Sequence, residues 1–378
     1  MVISGKRVWL NGQFYEASIE IIKDKISRIY SYGEVESDID YGENRIVAGF
    51  IDVHTHGAYG FDTNDAEVCG LKNWINNIAK EGVTSILPTT VTQSKEVLTK
   101  ALKNVAKVYK QEYTGAEILG IHFEGPFLNQ EYKGAQPKEY IVKPSIEEFE
   151  YYQSVSEGLI KYITLACEED VDLSLTRYAA EHGVVVSQGH SSATFEQAQI
   201  AIANGATSMT HVFNRMSPLH HRDAGLVGAA LADSEVYGEI IADGEHIHFA
   251  ALRAYMNAKG RDYAILVTDS LCAKYCGEGD FKLGGYTYKL DKSGVARLEG
   301  SNTIAGSTLS MNKGLQNLVE NVGVSFGTAL NACTINPARC LRVDNRKGKL
   351  VSGYDADIIV LDDKYNVLQT YCRGKAML

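Results

Sequence analysis

No run of lysine and arginine stands out anywhere in this sequence, and its formal net charge at pH 7 is −10. Nucleic-acid binding is excluded on that ground, because phosphate contacts need clustered cations. A small anionic substrate is not excluded, since exposed charges beyond about 8 Å are screened at physiological salt. There is no CxxC pair either, and the seven cysteines are scattered and odd in number. A reduced, cytoplasmic setting follows more naturally than a disulfide framework. The amino-terminal stretch from Met1 to Gly12 lacks the apolar core of about 7 to 15 residues that a signal peptide needs, and no run approaches the roughly 18 residues of a membrane span.

What is present is an ordinary globular composition, 45% hydrophobic and 22% charged over 378 residues. That length suits one large domain plus a small one, since a (β/α)8 barrel absorbs about 250 residues or more as a single domain. Residues 1–46 read as short strands with turn punctuation: Lys6–Leu10, the Asn11-Gly12 turn, Gln13–Tyr15, Ser18–Ile22 and Lys25–Tyr30. Residues 344–378 repeat the style, with strands at Asp357–Leu361 and Val367–Cys372. The two ends are expected to pair into one small β-sandwich domain. Between them, residues 47–343 alternate. Buried strands are expected at Gly49–Val53, Thr84–Pro88, Ile118–Phe123, Tyr162–Ala166, Val184–Gln188, Ser208–Thr210, Glu239–Ala242 and Ala264–Thr268. Helical spacing intervenes at Leu71, Trp74, Ile75, Ile78 and Ala79, and again at Leu98, Ala101, Leu102, Val105 and Tyr109. Thr194 followed three residues later by Gln197 predicts a capping box. A hairpin (Tyr286–Leu290, Val295–Leu298) interrupts the order after the eighth strand, and helices follow from Thr308 to Leu341.

Eight strand-then-helix units predict an α/β fold, a closed (β/α)8 TIM-type barrel with its chemistry at the carboxyl ends of the strands. The polar residues fall there. His54 and His56 follow the first strand, Glu124 ends the third, and His190, His211, His246 and Asp269 follow the fifth to the eighth. A carboxylate such as Glu124, at the end of an apolar strand with no Lys or Arg beside it, needs a cation or hydrogen bonds to be buried. His54 and His56, two apart in an extended segment, point to one face as a chelate requires. Imidazole plus carboxylate suits zinc or another divalent transition metal. Asp269 reads either as a helix cap or as a group able to take a proton from an activated water. His182, His220 and His248 read as ordinary surface or core histidines.

Taken together, HTHG, HxEGPF, GHSxA, the His211–Asn214 segment, ADGEH and VTDS resemble the N-acetylglucosamine-6-phosphate deacetylase family of the amidohydrolase superfamily, over nearly the whole chain. The resemblance implies metal-dependent removal of acetate from a phosphorylated amino sugar. It implies Glu124, His190 and His211 as principal ligands of a divalent metal, zinc or else Fe2+, Mn2+, Co2+ or Ni2+. His54 and His56 match a pair that only some members possess, so one or two ions per subunit are expected. Asp269 matches the catalytic acid/base, and His246 a residue that contacts the sugar and polarises the acetyl carbonyl. Ala135, Gln136 and Ile304, Ala305, Gly306 match segments lining the sugar; many members have His where Gln136 stands. Asn214 and Arg215 match a phosphate-binding pair whose second member is often Ala. Arg222 matches an arginine that reaches the phosphate from the neighbouring subunit of a homodimer, alone or within a dimer-based tetramer. The lysine that bridges two metals in many other amidohydrolases is missing, since the fourth strand ends Ala166, Cys167, Glu168. The same reaction on the galacto epimer, or another cyclic amidohydrolase or deaminase activity, remains a rival.

Overall fold

Segments such as Ile118–Phe123 and Val184–Gln188 carry apolar side chains on successive residues, the pattern of strands buried on both faces. In the computed structural model, which describes residues 1–292 and 294–378, they become part of the wall of a parallel barrel. Its strands are β1 (Phe50–Thr55), β2 (Val83–Thr90), β3 (Ile121–Glu124), β4 (Ile160–Leu165), β5 (Val185–Gln188), β6 (Ala206–Met209), β7 (Tyr237–Ile240) and β8 (Ala264–Leu266). Each pairs in parallel with the next. The expected positions are met to within a few residues, with one correction. The third is not continuous: Glu117–Ile118 pairs with β2 as a separate short strand, and β3 resumes at Ile121. Between the two pieces, a Cβ at Gly120 would lie 2.9 Å from Leu159 O, so the chain there passes close to the backbone leading into β4.

Closure between β8 and β1 is made by side chains as well as backbone. The Thr268 hydroxyl donates to Asp52 Oδ2 at 2.6 Å, Asp269 N–H donates to His54 O at 2.9 Å, and His56 N–H to Ser270 O at 2.9 Å. Sealing the barrel therefore also fixes His54 and His56 opposite Asp269.

The helices bury the expected faces. Leu71, Trp74 and Ile75, and Leu98, Ala101, Leu102 and Val105, are buried, and Thr194 with Gln197 forms the capping box. Tyr109 departs from its expected face: at the last residue of its helix it is 45% exposed. Both chain ends enter one eight-stranded sheet, where Arg45–Ala48 pairs antiparallel with Ile358–Leu361. The sheet covers its own core of Ile3, Val8, Ile19, Ile26, Ile46, Ile358 and Val360. The segments expected as Gln13–Tyr15 and Ser18–Ile22 form one strand, Gln13–Ile22. The hairpin after β8 gains a third strand, Gly279–Leu283, and with the loop that follows it overhangs the barrel mouth. Among the described residues, no helix is long and apolar enough to cross a membrane.

Candidate active site

Three of the strand ends stop in the same way. His190, His211 and Asp269 adopt φ of 48°, 30° and 49°, the left-handed region that ordinary residues enter at a cost of on the order of 1–3 kcal/mol each. The turn ends the strand and carries the side chain over the mouth. Gly306 adopts φ 51°, and a Cβ there would lie 2.8 Å from Asp269 O, so only glycine lets this segment abut the strand end.

Of three donor groups close enough to hold a metal among the described residues, two reach the mouth, the third being His54, His122 and Glu239. Glu124 Oε1 lies 3.1 Å from His190 Nε2 and 3.3 Å from His211 Nε2, and the two nitrogens are 3.1 Å apart. Asp269 Oδ1 lies 3.1 Å from His56 Nε2 and 3.6 Å from His54 Nε2. Glu124 joins the groups: its Oε2 is 3.4 Å from His56 Nε2 and its Oε1 is 3.6 Å from His54 Nε2.

The orientation of the rings shows what is missing from such a cluster. His190 Nδ1 faces Tyr132 O at 2.8 Å, His211 Nδ1 faces Asn214 O at 3.1 Å, His56 Nδ1 faces Thr89 O at 3.2 Å, and His54 Nδ1 faces Glu239 Oε2 at 2.8 Å. Each Nδ1 thus meets an acceptor and holds the ring proton, which leaves each Nε2 as a bare lone pair. Four lone pairs then point at two carboxylates, a gathering of acceptors into which Gln136 Nε2 donates one hydrogen bond, to Glu124 Oε2. His54 Nε2 is buried and has no hydrogen-bond partner. A cation satisfies all of them at once, and nitrogen with carboxylate oxygen is the donor set of a transition metal.

The electrostatics agree. Burial pushes Glu124 up, yet His54, His190 and His211 hold it well below the usual carboxylate range. Burial likewise raises Asp269, and His54 and His56 outweigh it, bringing the carboxyl down to about 2. Without a cation, His54 itself is driven up to about 10 by Glu239, Asp269 and Glu124 against its burial. A bound ion takes the place of that proton. His122, by contrast, is brought down to about 3 by burial and by His54, so it stays neutral between Val53 O and the Thr164 hydroxyl.

Above the clusters opens a cavity of about 670 Å³. His56, Glu124, His190, His211, His246 and Asp269 reach it, as do Ala135, Gln136, Asn214, Arg215, Ile304 and Gly306. Ala305 is buried behind the wall, its N–H on Ala296 O. His246 is held by Asp243, whose Oδ2 lies 2.6 Å from Nδ1, so its Nε2 is left for the cavity. Gln136 is fixed at both ends: its Oε1 accepts from Thr92 N–H at 2.7 Å, and its Nε2 donates to Glu124 Oε2 at 2.6 Å. Arg215 lies across Gly134, where a Cβ would stand 3.0 Å from its Nε. Arg222 is not brought to this cavity; it is exposed on a surface hairpin closed by His220 and Asp223.

The amidohydrolase family model matches residues 45–377. The chain belongs to the amidohydrolase family. It is 37% identical to the N-acetylglucosamine-6-phosphate deacetylase of Bacillus subtilis, covering 99% of this chain and 93% of that one. It is 36% identical to an N-acetylgalactosamine-6-phosphate deacetylase of Escherichia coli O157:H7, covering 86% of each. Among solved structures, it is similar to a variant of Mycobacterium smegmatis N-acetyl-D-glucosamine-6-phosphate deacetylase in complex with N-acetyl-D-glucosamine-6-phosphate. That chain superposes with a TM-score of 0.95 at 29% identity, covering 100% of this chain and 99% of the other.

Amidohydrolases depend on metal, and in this one the chain after β4 reads Ala166, Cys167, Glu168, with no lysine at the strand end. Glu124 offers one oxygen to each group, while Glu168, where β4 gives way to the loop, instead accepts from the Ser191 hydroxyl at 2.5 Å and Ser192 N–H at 2.6 Å and braces the turn carrying His190. His182, His220 and His248 take local roles outside the site: on Tyr178 O, on Arg222 N–H, and as the N-cap accepting from Ala250 N–H. Two residues, Glu239 and Asp243, and the place of Asp269 among the metal donors escaped the reading of the sequence. Asp269 as a donor beside His56, and Glu239, which orients His54, come from strand pairing that only the closed barrel reveals. Asp243, three residues before His246, was legible as a local hydrogen-bond partner.

Proposed function

We propose that this amidohydrolase hydrolyses the acetamide of N-acetyl-D-glucosamine 6-phosphate to D-glucosamine 6-phosphate and acetate, in amino-sugar catabolism and cell-wall sugar recycling. The reading is carried by four imidazole lone pairs converging on Glu124 and Asp269 at the base of a sugar-sized cavity. Near full-length similarity to deacetylases supplies the substrate.

Glu124, His190 and His211 would hold one divalent ion, zinc by the donor set, with Fe2+, Mn2+, Co2+ or Ni2+ as alternatives. His54, His56 and Asp269, sharing Glu124, would hold a second. Such ions supply Lewis-acid chemistry, polarising a carbonyl and making water nucleophilic near neutral pH. The chain does the rest. Burial works against the charge on His246, but Asp243 outweighs it and raises the pKa of the ring, so that as an imidazolium it keeps Nδ1–H on Asp243 and donates from Nε2 to the acetyl carbonyl oxygen as negative charge develops there. Asp269 accepts the proton of the attacking water and returns it to the leaving amine. Ala135, Gln136 and the segment Ile304 to Gly306 enclose the sugar, and Asn214 with Arg215 meets the phosphate. Arg222, exposed on its hairpin, reaches the phosphate of a neighbouring subunit in a homodimer or a dimer-based tetramer. With all seven cysteines free, a cytoplasmic setting accords with this role.

The test is acetate release from the purified protein on the gluco and galacto 6-phosphates and on unphosphorylated N-acetylglucosamine. The expected result is turnover of the gluco 6-phosphate with much lower kcat/KM on the unphosphorylated sugar. Preference for the galacto epimer would move the assignment to that substrate, and no turnover of either phosphate would reject it.

A further inference from the structure

Glu239 lies on β7 inside the barrel, fully buried, and takes no part in the reaction described above. Its Oε2 accepts two hydrogen bonds, from His54 Nδ1–H at 2.8 Å and from the His211 backbone N–H at 3.1 Å. Its Oε1 is buried without a partner. No lysine or arginine is paired with it among the described residues, so this carboxylate depends on positive charge relayed through His54.

The four converging imidazoles are not oriented alike. His190, His211 and His56 direct Nδ1–H to the backbone carbonyls of Tyr132, Asn214 and Thr89. His54 alone is oriented by a carboxylate. A carboxylate behind a ligating histidine fixes the tautomer and makes the ring a stronger donor than a carbonyl does. The contact with His211 is to its backbone, and that ring keeps its own orienting carbonyl. The effect of Glu239 therefore falls on one donor group and not the other.

We propose that Glu239 is the positioning residue that decides whether the second ion, the one at His54, His56 and Asp269, is retained. This rests on the two-ion reading of the site given above. Glu239 supplies the second group with a third carboxylate charge and locks His54 with Nε2 bare and facing Glu124 and Asp269. The group at Glu124, His190 and His211 is complete without it.

Glu239→Gln keeps the shape and an acceptor oxygen for both hydrogen bonds while removing the charge. Zinc titration with elemental analysis should give two equivalents for the wild type. The variant should keep one tightly, with affinity for the other lowered about 10- to 100-fold. Adding Glu239→Gln to a His54→Gln, His56→Gln double variant should change zinc binding no further. Glu239→Asp, charged but shorter, should weaken the second equivalent while leaving the first. Two equivalents of unchanged affinity in Glu239→Gln would overturn the proposal. So would loss of both equivalents, or metal-free Glu239→Gln failing to fold, since either would make Glu239 a general structural residue. A wild type holding one equivalent in excess zinc would instead remove the two-ion reading beneath it.

Discussion

Two clusters of buried charge sit at opposite ends of this barrel, and they are built differently. At the junction with the small sheet, three carboxylates surround an ammonium: Lys347 Nζ lies 2.6 Å from Glu117 and 2.9 Å from Asp355, and it also meets Asp357. Arg346 adds a guanidinium 2.9 Å from Glu117. The chain supplies both signs, so the cluster is complete in itself and acts as a bolt between barrel and sheet. At the mouth, Glu124, Asp269 and Glu239 also gather within one buried space, but imidazoles surround them and, among the described residues, no lysine or arginine pairs with them. That cluster is completed from outside. Acidic groups that bring their own cation hold a fold together, and acidic groups that bring neutral nitrogen donors hold a metal.

Chelation separates the two most sharply. Stripping metal should take acetate release below detection and zinc should restore it, while the metal-free protein keeps its far-ultraviolet circular dichroism because the junction is untouched. Next in size is Asp269→Asn, which loses the proton shuttle: kcat should fall by about 10² to 10⁴ with the protein folded and metal kept at Glu124, His190 and His211. Near-normal turnover would remove Asp269 from the mechanism. At the other end, Lys347→Met leaves three carboxylates without their ammonium and should cost about 3–5 kcal/mol in denaturant unfolding. Its kcat per folded molecule should stay near wild type. A large loss of turnover with little loss of stability would mean that the junction is not the separate, structural cluster described.

The two ends were also unequally legible. At the mouth, Glu124 and the histidines announced themselves because each polar residue breaks an apolar strand at its carboxyl end, where barrel chemistry lies. The rule that singled out Glu124 did not reach Glu239, which stands first in the expected strand Glu239–Ala242 but next to last in the observed one, Tyr237–Ile240. Its partner His54, 185 residues away, gave no local sign of it either. The left-handed turns at His190, His211 and Asp269 left no local trace, since none is a glycine or asparagine. At the junction, nothing in KGKL or YDAD marks Lys347 and its partners as buried, because they are ordinary loop sequences until Glu117, some 230 residues earlier, packs against them. Periodicity reveals strands and their ends; it does not reveal which distant strand ends meet.

The smallest effect concerns acid, and it again divides the two clusters. Burial works to raise Asp355, but Lys347, Lys25 and Arg346 outweigh it and bring its carboxyl down to about 2. The ordinary value is about 3.9, so the folded state binds a proton less readily than the unfolded one. A depressed carboxyl contributes stability that is fully present above the unfolded value and is lost as pH falls through the folded one. Wild type should therefore exceed Asp355→Asn by roughly 1 to 2 kcal/mol at pH 6, with the difference shrinking below pH 4 and nearly gone by pH 2. Urea unfolding of both metal-free proteins across that range measures it. The comparison is made without metal so that the mouth, whose ligands also titrate, contributes equally to both curves. A difference that stayed constant with pH would show that Asp355 acts through packing alone, and that the internal cations do not hold its charge.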